Sequence, residues 1–136
     1  MSDELNQWLA AYVRDNGGVA GTIHLRERAG DLQLRASVNI PPKVVEVVGV
    51  IPRGKGMAGL AWERDEPVTT CNLKTDDTGD VRPGAKAVDA NAAVAIPIHD
   101  AEGGIRGVVG IAYMGERDMT ESELEGLRRQ AEALPS

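Results

Sequence analysis

The stretch 52-PRGKGMAG-59 spells G-x-G-x-x-G with Gly54, Gly56 and Gly59. In a dinucleotide-binding fold such glycines follow a strand directly and open a long helix whose N-terminus holds a pyrophosphate. Neither neighbour fits here. Pro52 and Arg53 intervene before the first glycine. Upstream of them Val44, Val47, Val48 and Ile51 repeat with a helical spacing, after Pro41-Pro42 at the position where a helix would begin. The helix expected downstream, Met57 to Arg64, is closed by Pro67. A βαβ crossover needs about a dozen residues or more and a parallel strand to join. The glycines are therefore read as positions of backbone freedom and close packing that a Cβ would block.

Outward from this stretch the pattern changes period several times. Ser2, Asp3 and Glu4 make a capped, acidic helix start, and Leu5, Trp8, Leu9, Tyr12 and Val13 keep a 3.6-residue period until Gly17-Gly18. From Val19 to Glu27 the period is two: Gly21, Ile23 and Leu25 share one face, while Thr22, His24 and Arg26, with Arg35 beside them, share a polar one. The turn signal 29-AGD-31 joins this run to 32-LQLRASV-38 as a β-hairpin. After Pro67, 67-PVTTC-71 reads as a strand, and residues 72–91 are rich in Asp, Gly, Thr and Ala, with one helical turn after Pro83.

The strands 92-AAVAIPI-98 and 105-IRGVVGIAY-113 are nearly apolar on both faces, so both sides of the sheet must be covered there. The last helix opens with a capping box, Thr120 and Glu123, and a hydrophobic staple, Met119 with Leu124. Leu124, Leu127, Ala131 and Leu134 follow in the spacing of a short coiled-coil seam. Residues 1–136 thus read as a single α+β domain with a central antiparallel sheet. Its terminal helices lie on one face, and a crossover of short helices and loops lies over the other.

Bulk properties narrow the function classes. A formal net charge of −6 and a pI near 4.9 argue against nucleic acid, whose phosphates call for a basic face. No run has the length of a membrane span. Cys71 is the only cysteine, so no internal disulfide can form and the chain reads as cytoplasmic. There is no Phe, so Val, Ile, Leu, Ala and Met must build the core.

Two segments carry a family resemblance. 51-IPRGKGMAGLAWERDEPV-68 resembles the central segment of a GAF domain, and 92-AAVAIPIHDAEGGIRGVVGIAY-113 resembles its closing hairpin. Their order and spacing, with the terminal helices and first hairpin, extend the likeness over almost the whole chain. The resemblance implies a fold related to the PAS and profilin-like folds, in which the crossover arches over the sheet and encloses a small-molecule pocket. It further implies a sensory or regulatory role in signal transduction. With no output domain in the sequence, the signal would pass to a separate signalling protein. A homodimer built on the terminal helices, through Trp8, Tyr12, Leu124 and Leu127, is also implied.

The expected ligand wall is Thr70, Cys71, Asn72, Thr75, Asp76, Arg82 and Lys86, a mixed set of donors and acceptors suited to a small polar or anionic metabolite. Arg82 would clamp a carboxylate in two places at once; alternatively Arg82 and Lys86 only pair with the nearby aspartates. No cofactor is expected. Asp76, Asp77 and Asp80 fail the calcium-loop pattern because Thr78, Val81 and Ala87 stand where ligands or glycine are required. His24 and His99 have no second ligand close in sequence and are expected to be exposed or hydrogen-bonded, not metal-bound. Some GAF proteins, the free methionine-R-sulfoxide reductases, carry chemistry on cysteines. A cycle of that kind through Cys71 lacks a resolving thiol in this chain. An enzyme of that type and a ligand-free dimerisation module stand as the alternatives to a sensor.

Overall fold

The two apolar runs form the longest strands, β5 (Ala92–His99) and β6 (Ile105–Tyr113), paired as an antiparallel hairpin. Asp100 shapes the turn between them, its carboxylate accepting from the backbone N–H groups of Glu102 and Gly104, with Gly103 in the left-handed region. The fold is known from a computed structural model that describes residues 3–26, 31–40, 49–51, 53–54, 56–70, 92–114 and 120–134. The remaining elements are α1 (Asp3–Asp15), β1 (Ala20–Arg26), β2 (Leu32–Val38), β3 (Val50–Ile51), α2 (Gly56–Arg64), β4 (Val68–Thr70) and α3 (Glu121–Glu132).

The strands make one antiparallel sheet in the order β3-β2-β1-β6-β5-β4. Gly21, Ile23 and Leu25 turn toward α1 and α3, as the alternation in β1 requires. On this side Leu5, Leu9, Tyr12 and Val13 of α1 meet Ile23, Val109, Ile111 and Tyr113, while Leu127, Ala131 and Leu134 come from α3 and the residues just after it. Close approach is possible because Gly21 has no side chain: a Cβ there would stand 2.7 Å from Val13 Cγ2 and 3.0 Å from the Gly110 carbonyl. The two terminal helices are also joined directly. The Tyr12 hydroxyl donates to the Leu127 carbonyl at 3.1 Å, and Asn16 and Gln130 exchange amide hydrogen bonds. Burial, and secondarily Tyr113, pushes the Tyr12 phenol well above its usual range, so that hydroxyl keeps its proton. Thr120 caps α3 as the sequence indicates, accepting from the Glu123 N–H.

The opposite face carries α2. Its Ala61, with Met57, Ala58, Leu60 and Trp62, packs on Leu32, Ile51, Val68, Ala95 and Val108. Two expectations are corrected here. Ile51, placed on a helix by its spacing, lies in β3 and pairs with Leu32; β-branched residues suit the pleated surface better than a helix. Residues 41–48 lie outside the described residues. The face with Thr22 and His24 is not a solvent face, since only 3% of His24 is exposed. Arg35 is displaced by a bulge: Ile23 pairs with Ala36 and His24 with Leu34, leaving Arg35 as the extra residue.

The glycine turn is now accounted for. Gly54 adopts φ +79° and its N–H donates to the Gly59 carbonyl at 2.9 Å, folding the chain back onto the helix it precedes. A Cβ on Gly54 would meet the Glu63 carboxylate at 2.7 Å. Gly54→Ala should therefore lower unfolding stability by about 1–2 kcal/mol, the cost of a left-handed non-glycine residue, read from the shift of a urea unfolding midpoint.

Candidate functional site

Strand register sets out the face that carries α2 as rows of backbone partners. One row runs Thr22, Gly110, Ala95 and Val68, and the next His24, Val108 and Pro97. α2 covers the side of the face that holds Val68, Ala95 and Val108. The row beyond, Ala20, Ala112, Ala93 and Thr70, includes three alanines, of which Ala20 and Ala112 are buried. Side chains that stop at Cβ, with Gly110 beside them and the Thr22 hydroxyl as a hydrogen-bonding group, make a low floor.

Thr70 of the expected ligand wall ends β4, opposite Ala93. Cys71, Asn72, Thr75, Asp76, Arg82 and Lys86 lie outside the described residues, as do the residues of the calcium-loop comparison. Among the described residues no cluster of His, Cys, Asp or Glu is grouped to hold a metal ion. Of the helix residues expected at a dimer contact, Tyr12 and Leu127 are buried inside their own chain, whereas Trp8 and Leu124 are only partly covered. Trp8 stacks on Tyr12 with ring centroids 4.9 Å apart.

Two constellations were not legible beforehand. The first joins the two layers around the end of the sheet. His99 closes β5, and its Nε2 lies 2.6 Å from Asp65 Oδ1, in the turn after α2. Its Nδ1 lies 3.0 Å from Glu132 Oε1, at the end of α3, and that oxygen also accepts from the His99 backbone N–H. Asp65 reaches the ring from a left-handed backbone conformation, φ +52°. The hydrogen bond to Asp65 raises the His99 pKa most; partial burial opposes it, and Glu132 adds to the rise. The second constellation places the guanidinium carbons of Arg26 and Arg53 at 5.8 and 5.9 Å from the Trp62 ring centroid. Both join residues more than thirty positions apart or from separate elements, which no local pattern marks.

The GAF domain family model matches residues 2–134. The chain belongs to the GAF family. No curated protein matches it, whereas many solved structures do. The free methionine-R-sulfoxide reductase of Neisseria meningitidis, solved with its substrate, superposes with a TM-score of 0.71 at 19% identity, over 97% of this chain and 77% of that one. The GAF domain of an Acinetobacter phosphoenolpyruvate-protein phosphotransferase gives 0.63 at 21% identity, covering 98% and 93%. A Sinorhizobium meliloti 1021 domain described as part of a two-component sensor histidine kinase gives 0.72 at 16% identity, covering 98% and 88%. These likenesses establish the fold: a GAF domain of α+β architecture. No described helix is long and apolar enough to cross a membrane.

The His99 clasp sets a pH dependence. Its folded-state pKa is raised, so its contribution is complete below the unfolded value of about 6.5 and fades as pH rises through the folded value. His99→Gln should cost about 0.5–1 kcal/mol at pH 6, the range of partly exposed ion pairs. The gap between variant and parent should narrow at pH 9 in paired chemical melts.

Proposed function

We propose that this chain is a small-molecule-binding sensory or regulatory GAF domain, acting in the cytoplasm on a small polar or anionic metabolite. The observation that supports this most is the low floor of Ala20, Ala93, Ala112, Gly110 and Thr22 beside α2. On that floor a ligand would meet the segment that begins at Thr70 and carries Cys71, Asn72, Thr75, Asp76, Arg82 and Lys86. Arg82 would grip a carboxylate through its paired N–H donors, and Thr70, Asn72 and Thr75 would set its orientation. A ligand that shifts the α2 side would move Asp65, and through His99 and Glu132 the end of α3. The signal then passes to a second protein or across a homodimer formed by the terminal helices, with Trp8 and Leu124 as their remaining apolar surface.

A reductase reading draws on the likeness to methionine-sulfoxide reductases, but the chain has one cysteine, and the exchange that regenerates the thiol requires a second. The two readings separate in one set of measurements. Free amino acids, methionine sulfoxide, dicarboxylates and cyclic nucleotides are screened by thermal shift. A binder at a hundred times its Kd adds about 2.7 kcal/mol, several degrees in melting temperature. Arg82→Ala and the space-filling Ala93→Leu should each remove that shift while leaving the unliganded protein folded. Failure of every ligand class to shift the melt would overturn the sensor reading. Turnover of methionine sulfoxide with a dithiol reductant, lost in Cys71→Ser, would establish the reductase instead.

A further inference from the structure

Trp62 is half-buried in α2, with its inner edge on the apolar cluster beneath the helix. Arg26, the last residue of β1, and Arg53, in the turn before α2, both bring their guanidinium groups to its ring. Three separate segments therefore converge on one indole at the surface. A cation–π contact of this length engages the charge of a guanidinium without using up its N–H donors. Both arginines are exposed, and among the described residues no carboxylate within ion-pair distance neutralises either.

Two like charges within 6 Å of one ring repel each other. The Glu63 carboxylate lies over Gly54, the residue after Arg53, and forms no ion pair with either arginine among the described contacts. The first turn of α2 carries no acidic residue, so the positive end of the helix adds to the potential of Arg53 ahead of it. A chain of net charge −6 thus keeps a cationic, aromatic spot on its surface. Arginine and tryptophan are the side chains most enriched where single residues dominate the energy of a protein interface.

We propose that Arg26, Trp62 and Arg53 form a docking surface for an acidic segment of a partner protein. Carboxylates of the segment accept bidentate hydrogen bonds from the guanidinium edges, and an apolar side chain between them covers the exposed part of the indole. An extended segment fits better than a small anion. Single ion pairs at exposed sites contribute about 1 kcal/mol or less, so a free anion gains little, whereas a segment adds its contacts together. This surface is independent of the ligand reading given above.

The test uses the full chain and a short synthetic peptide in which pairs of glutamates alternate with leucine. The indole N–H of Trp62 and the Nε–H signals of Arg26 and Arg53 are followed by NMR. The glutamate peptide should move these signals in a saturable way at sub-millimolar concentration, with affinity falling as salt rises. The double variant Arg26→Gln/Arg53→Gln should weaken binding about tenfold or more with an unchanged melting curve. Arg26→Lys/Arg53→Lys, which keeps the charge but not the flat fork, should fall between. Equal binding of a glutamine-for-glutamate peptide, or undiminished binding by the double glutamine variant, would overturn the proposal. Equal shifts from inorganic phosphate at matched concentration would reduce the surface to a small-anion site. Self-association that the double glutamine variant abolishes would assign it to a second copy of this chain.

Discussion

The structure depends on β6 being buried on both faces. It pairs with β1 on one side and β5 on the other, and every residue from Gly107 to Tyr113 except Gly110 is buried. A sheet with such a centre cannot stand with one face in water, and two layers have to cover it. The termini supply one layer, as α1 and α3. The middle of the chain must supply the other, and α2 with its glycine turn is the described part of it. The chain order of helix, hairpin, crossover, hairpin and helix follows from that requirement.

What the sequence made legible follows local periodicity. β2 has the boundaries that alternation marks, 32–38, β6 those of its apolar run, 105–113, and Thr120 caps α3 by accepting from the Glu123 N–H. The misses are non-local. Ile51 sits at a helical spacing from Val48 and Val47, yet its environment is decided by Leu32 across the sheet. His24 occupies a position that reads as polar because its strand alternates, but the cover over that face is supplied from elsewhere in the chain. His99 reads as a turn residue; its partners lie 33 and 34 positions away on two different layers. Of the expected ligand wall only the backbone of Thr70 falls among the described residues, so that part of the site stands on sequence and family alone.

Fold and function separate along the same line. The row beside α2 is made of alanine and glycine, residues that carry no chemical identity. Closely similar folds therefore serve both a sulfoxide reductase and domains of sensor and phosphotransferase proteins. In this chain the two layers are tied by a histidine held between two carboxylates, and the terminal helices within one layer are tied by paired side chains.

That second tie has a kinetic side. Tyr12 meets Leu127, and Asn16 meets Gln130, across 115 and 114 positions of chain, while β5 and β6 close over a short turn. Entropy favours the short closure first, and contacts between distant partners wait until the sheet has brought them together. Loop-closure entropy thus predicts that the contacts between the two terminal helices close after the β5–β6 hairpin, whichever helix docks second.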